Sequence, residues 1–168
     1  QTLTDQAIVI ENDKIVRVGG TFKALAPTDT LIDLSNATVV PGMIDAHTHI
    51  TGDPWHHGYA GLATSTAREA LYGAQYAKVT LEAGFTTIRN VGAGGYADID
   101  LRDAINAGGI VGPRIYASGP ALSITGGHCD NNLLPYEMHQ QADGVADGVE
   151  AVQHKTREII KYGADLIK

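Results

Sequence analysis

The stretch Val39-Val40-Pro41-Gly42-Met43-Ile44-Asp45-Ala46-His47-Thr48-His49 decides how the rest of the chain is read. It is an apolar run, broken by Pro41-Gly42, that ends in two histidines one residue apart. In a β-strand successive side chains point to opposite faces, so positions i and i+2 share one. His47 and His49 are therefore expected to project together from the C-terminal end of a strand, with Thr48 turned away. Two imidazoles on one face of a rigid element are a pair of ligands for a transition metal. A bare His-x-His also arises from two unrelated surface or core histidines. The context favours ligation: a strand of buried type (Thr38-Val39-Val40, then Met43-Ile44) precedes the pair, and the polar loop Thr51-Gly52-Asp53-Pro54 follows it.

Upstream, residues 7–10 and 14–18 read as short strands joined by the turn Glu11-Asn12-Asp13. Residues 30–34 read as a third strand after the break at Pro27-Thr28-Asp29. So few short strands bury too little surface to stand alone. This β unit, residues 1–37, is expected to pack with strands from elsewhere. Downstream, residues 64–83 carry an apolar helical face (Ala67, Ala70, Leu71, Ala74, Ala77, Leu81) and stop at Gly84. Residues 85–92 are a strand rich in β-formers. A helix over 99–107, a strand over 113–119, an irregular stretch over 120–144 and a helix over 149–162 follow. Residues 164–168 begin one more strand.

From residue 38 the order is thus β-α-β-α-β-α-β, which argues for a parallel sheet with right-handed crossovers. A doubly wound sheet and a (β/α)8 barrel both fit. No G-x-G-x-x-G follows any strand, which weakens the dinucleotide-binding reading. A complete barrel takes about 250 residues, so residues 38–168 are expected to be the first half of a TIM-type barrel, α/β in class, preceded by part of a small β-sandwich. The last strand would leave an apolar edge, so the chain is expected to need the remaining half of the barrel.

The 168 residues are 43% hydrophobic and 18% charged, a globular balance. Net charge is −7 without a Lys/Arg cluster, which argues against nucleic acid or an anionic membrane surface as partner. No apolar run approaches the ~20 residues of a bilayer span. Cys129 is alone, so no internal disulfide forms, and no triad surrounds it as a nucleophile. The chain begins at Gln1 rather than Met, and leaves open a cytoplasmic location or, after a cleaved signal peptide, a periplasmic or secreted one.

Other residues could carry chemistry. Arg89 at a strand end could grip a substrate carboxylate bidentately or make a structural ion pair. Trp55, His57 and Tyr59 follow the histidine pair and either line a pocket or are bystanders, as is His56. His128 lies in a glycine-rich loop, where function often sits. Lys168, taken alone, reads as a solvated terminal lysine.

The segment Pro41-Gly42-Met43-Ile44-Asp45-Ala46-His47-Thr48-His49 resembles the first-strand signature of the metal-dependent amidohydrolase superfamily. So do Ala83-Gly84-Phe85-Thr86-Thr87-Ile88-Arg89-Asn90-Val91-Gly92, Gly126-Gly127-His128-Cys129-Asp130 and Gly163-Ala164-Asp165-Leu166-Ile167-Lys168 in their places. The likeness runs over nearly the whole chain. It is nearest to the subgroup of Xaa-Pro dipeptidases, lysine/arginine carboxypeptidases and ochratoxin-hydrolysing amidases.

The resemblance implies a binuclear hydrolase of an amide bond to a C-terminal amino acid, in dipeptides or N-acyl amino acids. It implies two divalent metals, zinc by preference, held by His47, His49 and a CO2-derived carbamate on Lys168. Further ligands would lie on barrel strands beyond Lys168. His128 would contact substrate or hold the developing oxyanion, and Trp55, His57, Tyr59 and Arg89 would bind substrate. A homo-oligomer is expected. Two alternatives stand: a mononuclear deaminase of the same superfamily, which needs no bridging Lys168, and a non-catalytic barrel scaffold.

Overall fold

The chain opens with a hairpin whose turn is set by two residues. In a computed structural model, described over residues 2–20, 26–55, 58–132 and 134–168, Asn12 and Asp13 have φ of 49° and 62°. Positive φ at both central residues is the turn geometry that matches strand twist. It joins β1 (Ala7–Glu11) to β2 (Lys14–Gly19) in antiparallel register, Glu11 opposite Lys14, with a shift between Val9 and Ile10. Residues 30–34 do not form the expected third strand. They pair with no strand, and Leu31 and Ile32 are more than 70% exposed. β-propensity forms a strand only where a neighbour supplies the ladder, and none is beside them among the described residues. Gln1–Pro41 and Gly42–Lys168 are separate compact units.

The second unit is α/β. β3 (Met43–Thr48), β4 (Phe85–Asn90) and β5 (Arg114–Ala117) form a parallel sheet in that order. α1 (Thr66–Glu82) connects β3 to β4, and α2 (Ala97–Asn106) connects β4 to β5. The Ser65 hydroxyl accepts from the Arg68 amide (3.3 Å), satisfying one orphan donor at the start of α1. Gly84, at φ 95°, ends that helix in a conformation that costs glycine little. α3 (Val149–Lys161) follows a long irregular stretch.

Both connecting helices cover one face of the sheet. Ile88, Ile115 and Ala117 from the strands pack with Ala77, Ile99 and Leu101 from the helices. Close approach depends on Gly73: a Cβ there would sit 2.8 Å from Leu101 Cδ2. α2 starts two residues earlier than its periodicity suggests. Tyr96 just before it takes φ 63°, and its hydroxyl donates to Glu158 on α3 (3.2 Å). Burial first, then Glu158, pushes the Tyr96 phenol up to about 12.

Two expectations need correction. β3 is an edge strand with Ile44 70% exposed, not a buried one, because among the described residues only β4 pairs with it. Residues 164–168 form no fourth strand. Asp165 N donates to the Ala117 carbonyl (2.8 Å), but the Ala117 amide donates to the Asp165 carboxylate (2.9 Å) rather than to a carbonyl. A side chain thus occupies the place of the next ladder bond. Three parallel strands close no barrel. Among the described residues no helix is long and apolar enough to cross a membrane.

Candidate metal and substrate site

Parallel strands that end together bring the residues that leave them onto one rim. Pairing continues past the strand ends here: the Val91 amide donates to the Thr48 carbonyl (2.9 Å) and the Ser118 amide to the Asn90 carbonyl (3.2 Å). On this rim His47 and His49 lie with ring centroids 5.5 Å apart and planes tilted by 57°. Both are exposed, while Thr48 turns to β4, its hydroxyl 3.3 Å from the Arg89 carbonyl oxygen. The shared face expected from the spacing is the face observed.

The surroundings of His49 are built, not loose. Its Nδ1 lies 3.3 Å from the Gly92 carbonyl oxygen. A proton on Nδ1 donates there and leaves the Nε2 lone pair for a ligand role. Gly92 has φ 138°, and a Cβ on it would meet His49 Cε1 at 3.3 Å. Asn90, fully buried at the end of β4, accepts from the Ile50 amide through Oδ1 (2.7 Å). Its Nδ2 donates to Asp98 Oδ2 (3.0 Å) and to the Gly92 carbonyl (3.3 Å). Asp98, also fully buried, accepts through the same oxygen from the Gly119 amide (3.2 Å). Its Oδ1 is buried with no partner among the described residues. Beside His49 a cavity of about 420 Å³ is lined by Thr48, Ile50, Asp53, Pro54, Tyr76 and Thr80.

The remaining candidates lie on separate segments of the chain. Arg89 donates from Nε to the Ala46 carbonyl (2.7 Å), tying β4 to the strand that carries His47. One edge of its guanidinium thus has a structural task. Trp55 is 83% exposed, its amide bonded to Asp53 Oδ1 (3.0 Å), and Tyr59 is exposed in the 3-10 turn Gly58–Ala63. His57, like His56, lies outside the described residues. His128 is exposed in a loop pinned by Asp130, whose carboxylate accepts from the amides of Gly126 (2.8 Å), Asn131 (2.8 Å) and Ala142 (3.1 Å). These bonds, Gly126 first and then Ala142, hold the Asp130 carboxyl below its ordinary value. Lys168 is half-buried, and its carbonyl accepts from the Leu122 amide (3.0 Å). Asp165, three residues earlier, pairs with Arg102 (2.7 Å).

Sequence reasoning gave no role to Asn90, Asp98 or Asp165. The signal was faint: a buried amide at a strand end reads like any polar residue leaving a sheet, and Asp98 reads as a first-turn acid favoured by the helix dipole.

The donor set suits a divalent metal in part. Two exposed imidazoles on one face, one with its second nitrogen engaged, are first ligands of the right kind. Among the described residues no group of three or more His, Cys, Asp or Glu is placed to complete a site.

Parallel strands and the helices that cover them define an α/β protein with a pair of imidazoles at the end of its edge strand. The chain belongs to the amidohydrolase family, whose pattern matches residues 38–168. It is 34% identical to the ochratoxinase of Aspergillus niger over the whole of this chain and 38% of that protein. A Xaa-Pro dipeptidase structure with methionine bound in its active site superposes at a TM-score of 0.84, with 36% identity over 95% of this chain and 40% of that one. A prolidase structure holding N-methylphosphonate-L-proline gives 0.79, with 34% identity over 97% and 41%. The chain spans about two fifths of the length of these relatives.

Proposed function

We propose that this chain supplies the first part of the (β/α)8 barrel and the first ligands of a binuclear metal-dependent amidohydrolase, which cleaves an amide bond to a C-terminal amino acid. The observation that carries the reading is the His47–His49 pair, 5.5 Å apart on one face of the parallel-sheet rim. The names of the relatives support the substrate class: an ochratoxinase, a Xaa-Pro dipeptidase holding methionine, and a prolidase holding a proline derivative.

His47 and His49 would hold a divalent metal through imidazole nitrogen, and a carbamate on Lys168 would bridge to a second, with zinc the proposed metal. Two such ions supply a polarised scissile carbonyl and an acidified water. His49 keeps its proton on Nδ1 against the Gly92 carbonyl. His128, on the Asp130-pinned loop, donates to the developing oxyanion. Arg89, His57 and the exposed Trp55 and Tyr59 take the amino-acid portion of the substrate. Asp165 and Arg102 hold the segment that presents Lys168. The N-terminal strands complete a small sandwich with later parts of the protein, and the protein assembles as a homo-oligomer.

Elemental analysis of the purified full chain, with a panel of dipeptides and N-acyl amino acids, tests this. About two metal ions per chain, amide hydrolysis, and loss of both in His47→Ala and His49→Ala are expected. One ion with ring deamination would move the assignment to a mononuclear deaminase. No metal and no hydrolysis would leave a scaffold and overturn the proposal.

A further inference from the structure

Five hydrogen bonds or close polar contacts surround His49, and the Asn90 side chain makes four of them. Asn90 Oδ1 accepts from the Ile50 amide at 2.7 Å and lies 3.4 Å from the Thr48 hydroxyl. Asn90 Nδ2 donates to the Gly92 carbonyl at 3.3 Å, and His49 Nδ1 lies 3.3 Å from that same oxygen. The second Nδ2 hydrogen goes to Asp98 Oδ2 at 3.0 Å. The orientation of the amide is forced. The Ile50 amide needs an acceptor and the Gly92 carbonyl needs a donor, so the oxygen faces one and the nitrogen the other.

We propose that Asn90, braced by Asp98, is the positioning residue of the histidine pair, fixing with one carboxamide the chain before and after His49 and the carbonyl its imidazole faces. The inference rests on the reading of His47 and His49 as metal ligands. His49 lies just past the end of β3, where the sheet ladder no longer dictates its geometry. A backbone amide without a ladder partner still needs an acceptor when buried, and Asn90 provides it for Ile50. The same side chain saturates the Gly92 carbonyl from a second direction. That carbonyl then stays where a proton on Nδ1 can reach it, and Nε2 is left as the ligand atom. Asp98 sits at the second position of α2 and bonds the Gly119 amide after β5. The brace therefore spans the ends of all three strands. Outer contacts of this kind typically change metal affinity by about 10–100-fold.

The test uses the full chain loaded with cobalt(II). Affinity is measured by competition with a chromophoric chelator, and the cobalt d–d absorption is recorded. Asn90→Leu keeps the volume and removes every bond; it is expected to lose about 10–100-fold in affinity and to shift the absorption band. Ile88→Val, a buried core change outside the network, destabilises without touching it and is expected to do neither. If Asn90→Leu binds cobalt with unchanged affinity and spectrum, the inference fails. If it does not fold, the metal-free wild-type chain decides: long-range 1H–15N spectra of the imidazoles are expected to show His49 protonated on Nδ1. An Nε2-protonated His49 overturns the proposal. Failure of the underlying reading looks different, because cobalt would then bind His49→Ala as it binds the wild type, or bind neither.

Discussion

Replacing Asp165 with alanine is expected to destabilise the second unit by about 2.5–4.5 kcal/mol, from two losses. Asp165 Oδ2 accepts from the Ala117 amide at 2.9 Å and from Arg102 Nη1 at 2.7 Å. Ala117 is fully buried, and an orphaned buried amide costs about 1–3 kcal/mol. The bond to Arg102 is charge-assisted, a class worth about 1.5–3 kcal/mol. The lower end applies here, because Asp165 is about a third exposed and Arg102 keeps its bonds to the Gly163 carbonyl and Asp103. Burial opposes the charge on Arg102, yet the hydrogen bonds it donates to Asp165 and then to Asp103 outweigh it and raise its pKa, in line with a working pair. Asp165→Asn retains an acceptor for Ala117 without the charge and is expected to lose about half as much. Urea unfolding reads both, as a shift in midpoint at constant slope. Hydrogen exchange in residues 163–168 is expected to rise while the core stays protected. An alanine variant that loses less than about 1 kcal/mol, with exchange unchanged, would refute the reasoning.

Three further outcomes are expected. Gly92→Ala combines a φ of 138°, strained for any L side chain, with a Cβ 3.3 Å from His49 Cε1, and should cost about 1–3 kcal/mol and weaken cobalt binding; calorimetry and chelator competition measure the two parts. Asp130 has a carboxyl held below 3.8 by loop amides, so its ordering of the His128 loop is complete above that value and lost as pH falls through the lower folded value; hydrogen exchange in residues 123–147 should rise below about pH 4, and Asp130→Ala should reproduce this at neutral pH. Ser65→Ala removes the cap of α1 and should cost about 1 kcal/mol, read by thermal unfolding.

What could be read from the sequence was whatever follows from local pattern. The period-two spacing of His47 and His49 fixes their common face in any strand, and the structure has it. The helical face ending at Gly84 and the strands on either side of α2 are equally local, because periodicity and glycine stops act within a few residues. The segments at 30–34 and 164–168 have strand composition but no strand, because a strand is a property of two neighbours and composition describes one. Ile44 failed for the same reason: an apolar residue reads as buried, but its exposure depends on whether a second strand lies beyond it. Asn90 and Asp98 were invisible as a pair. They lie eight residues apart, and only the crossover from β4 into α2 brings the amide and the carboxylate to 3.0 Å.

One physical device recurs at the strand ends and accounts for how the rim holds its shape. A parallel sheet satisfies its own amides while it lasts, but residues that carry chemistry must leave it, and their neighbours then lose ladder partners. In this chain side-chain oxygens take over at three such points. Asn90 Oδ1 receives the Ile50 amide beyond β3, Asp98 Oδ2 receives the Gly119 amide beyond β5, and Asp165 Oδ2 receives the Ala117 amide at the end of β5. Each oxygen comes from a residue distant in sequence, so each bond also ties two elements together. The consequence is directional. Loss of one of these oxygens should disturb the two segments it joins more than the helices that cover the sheet; for Asn90 those include His49, and for Asp165 the approach to Lys168. The positions most sensitive for the site are thus the acceptors behind the candidate ligands, while core substitutions such as Ile88→Val should lower stability and leave the geometry of the rim unchanged.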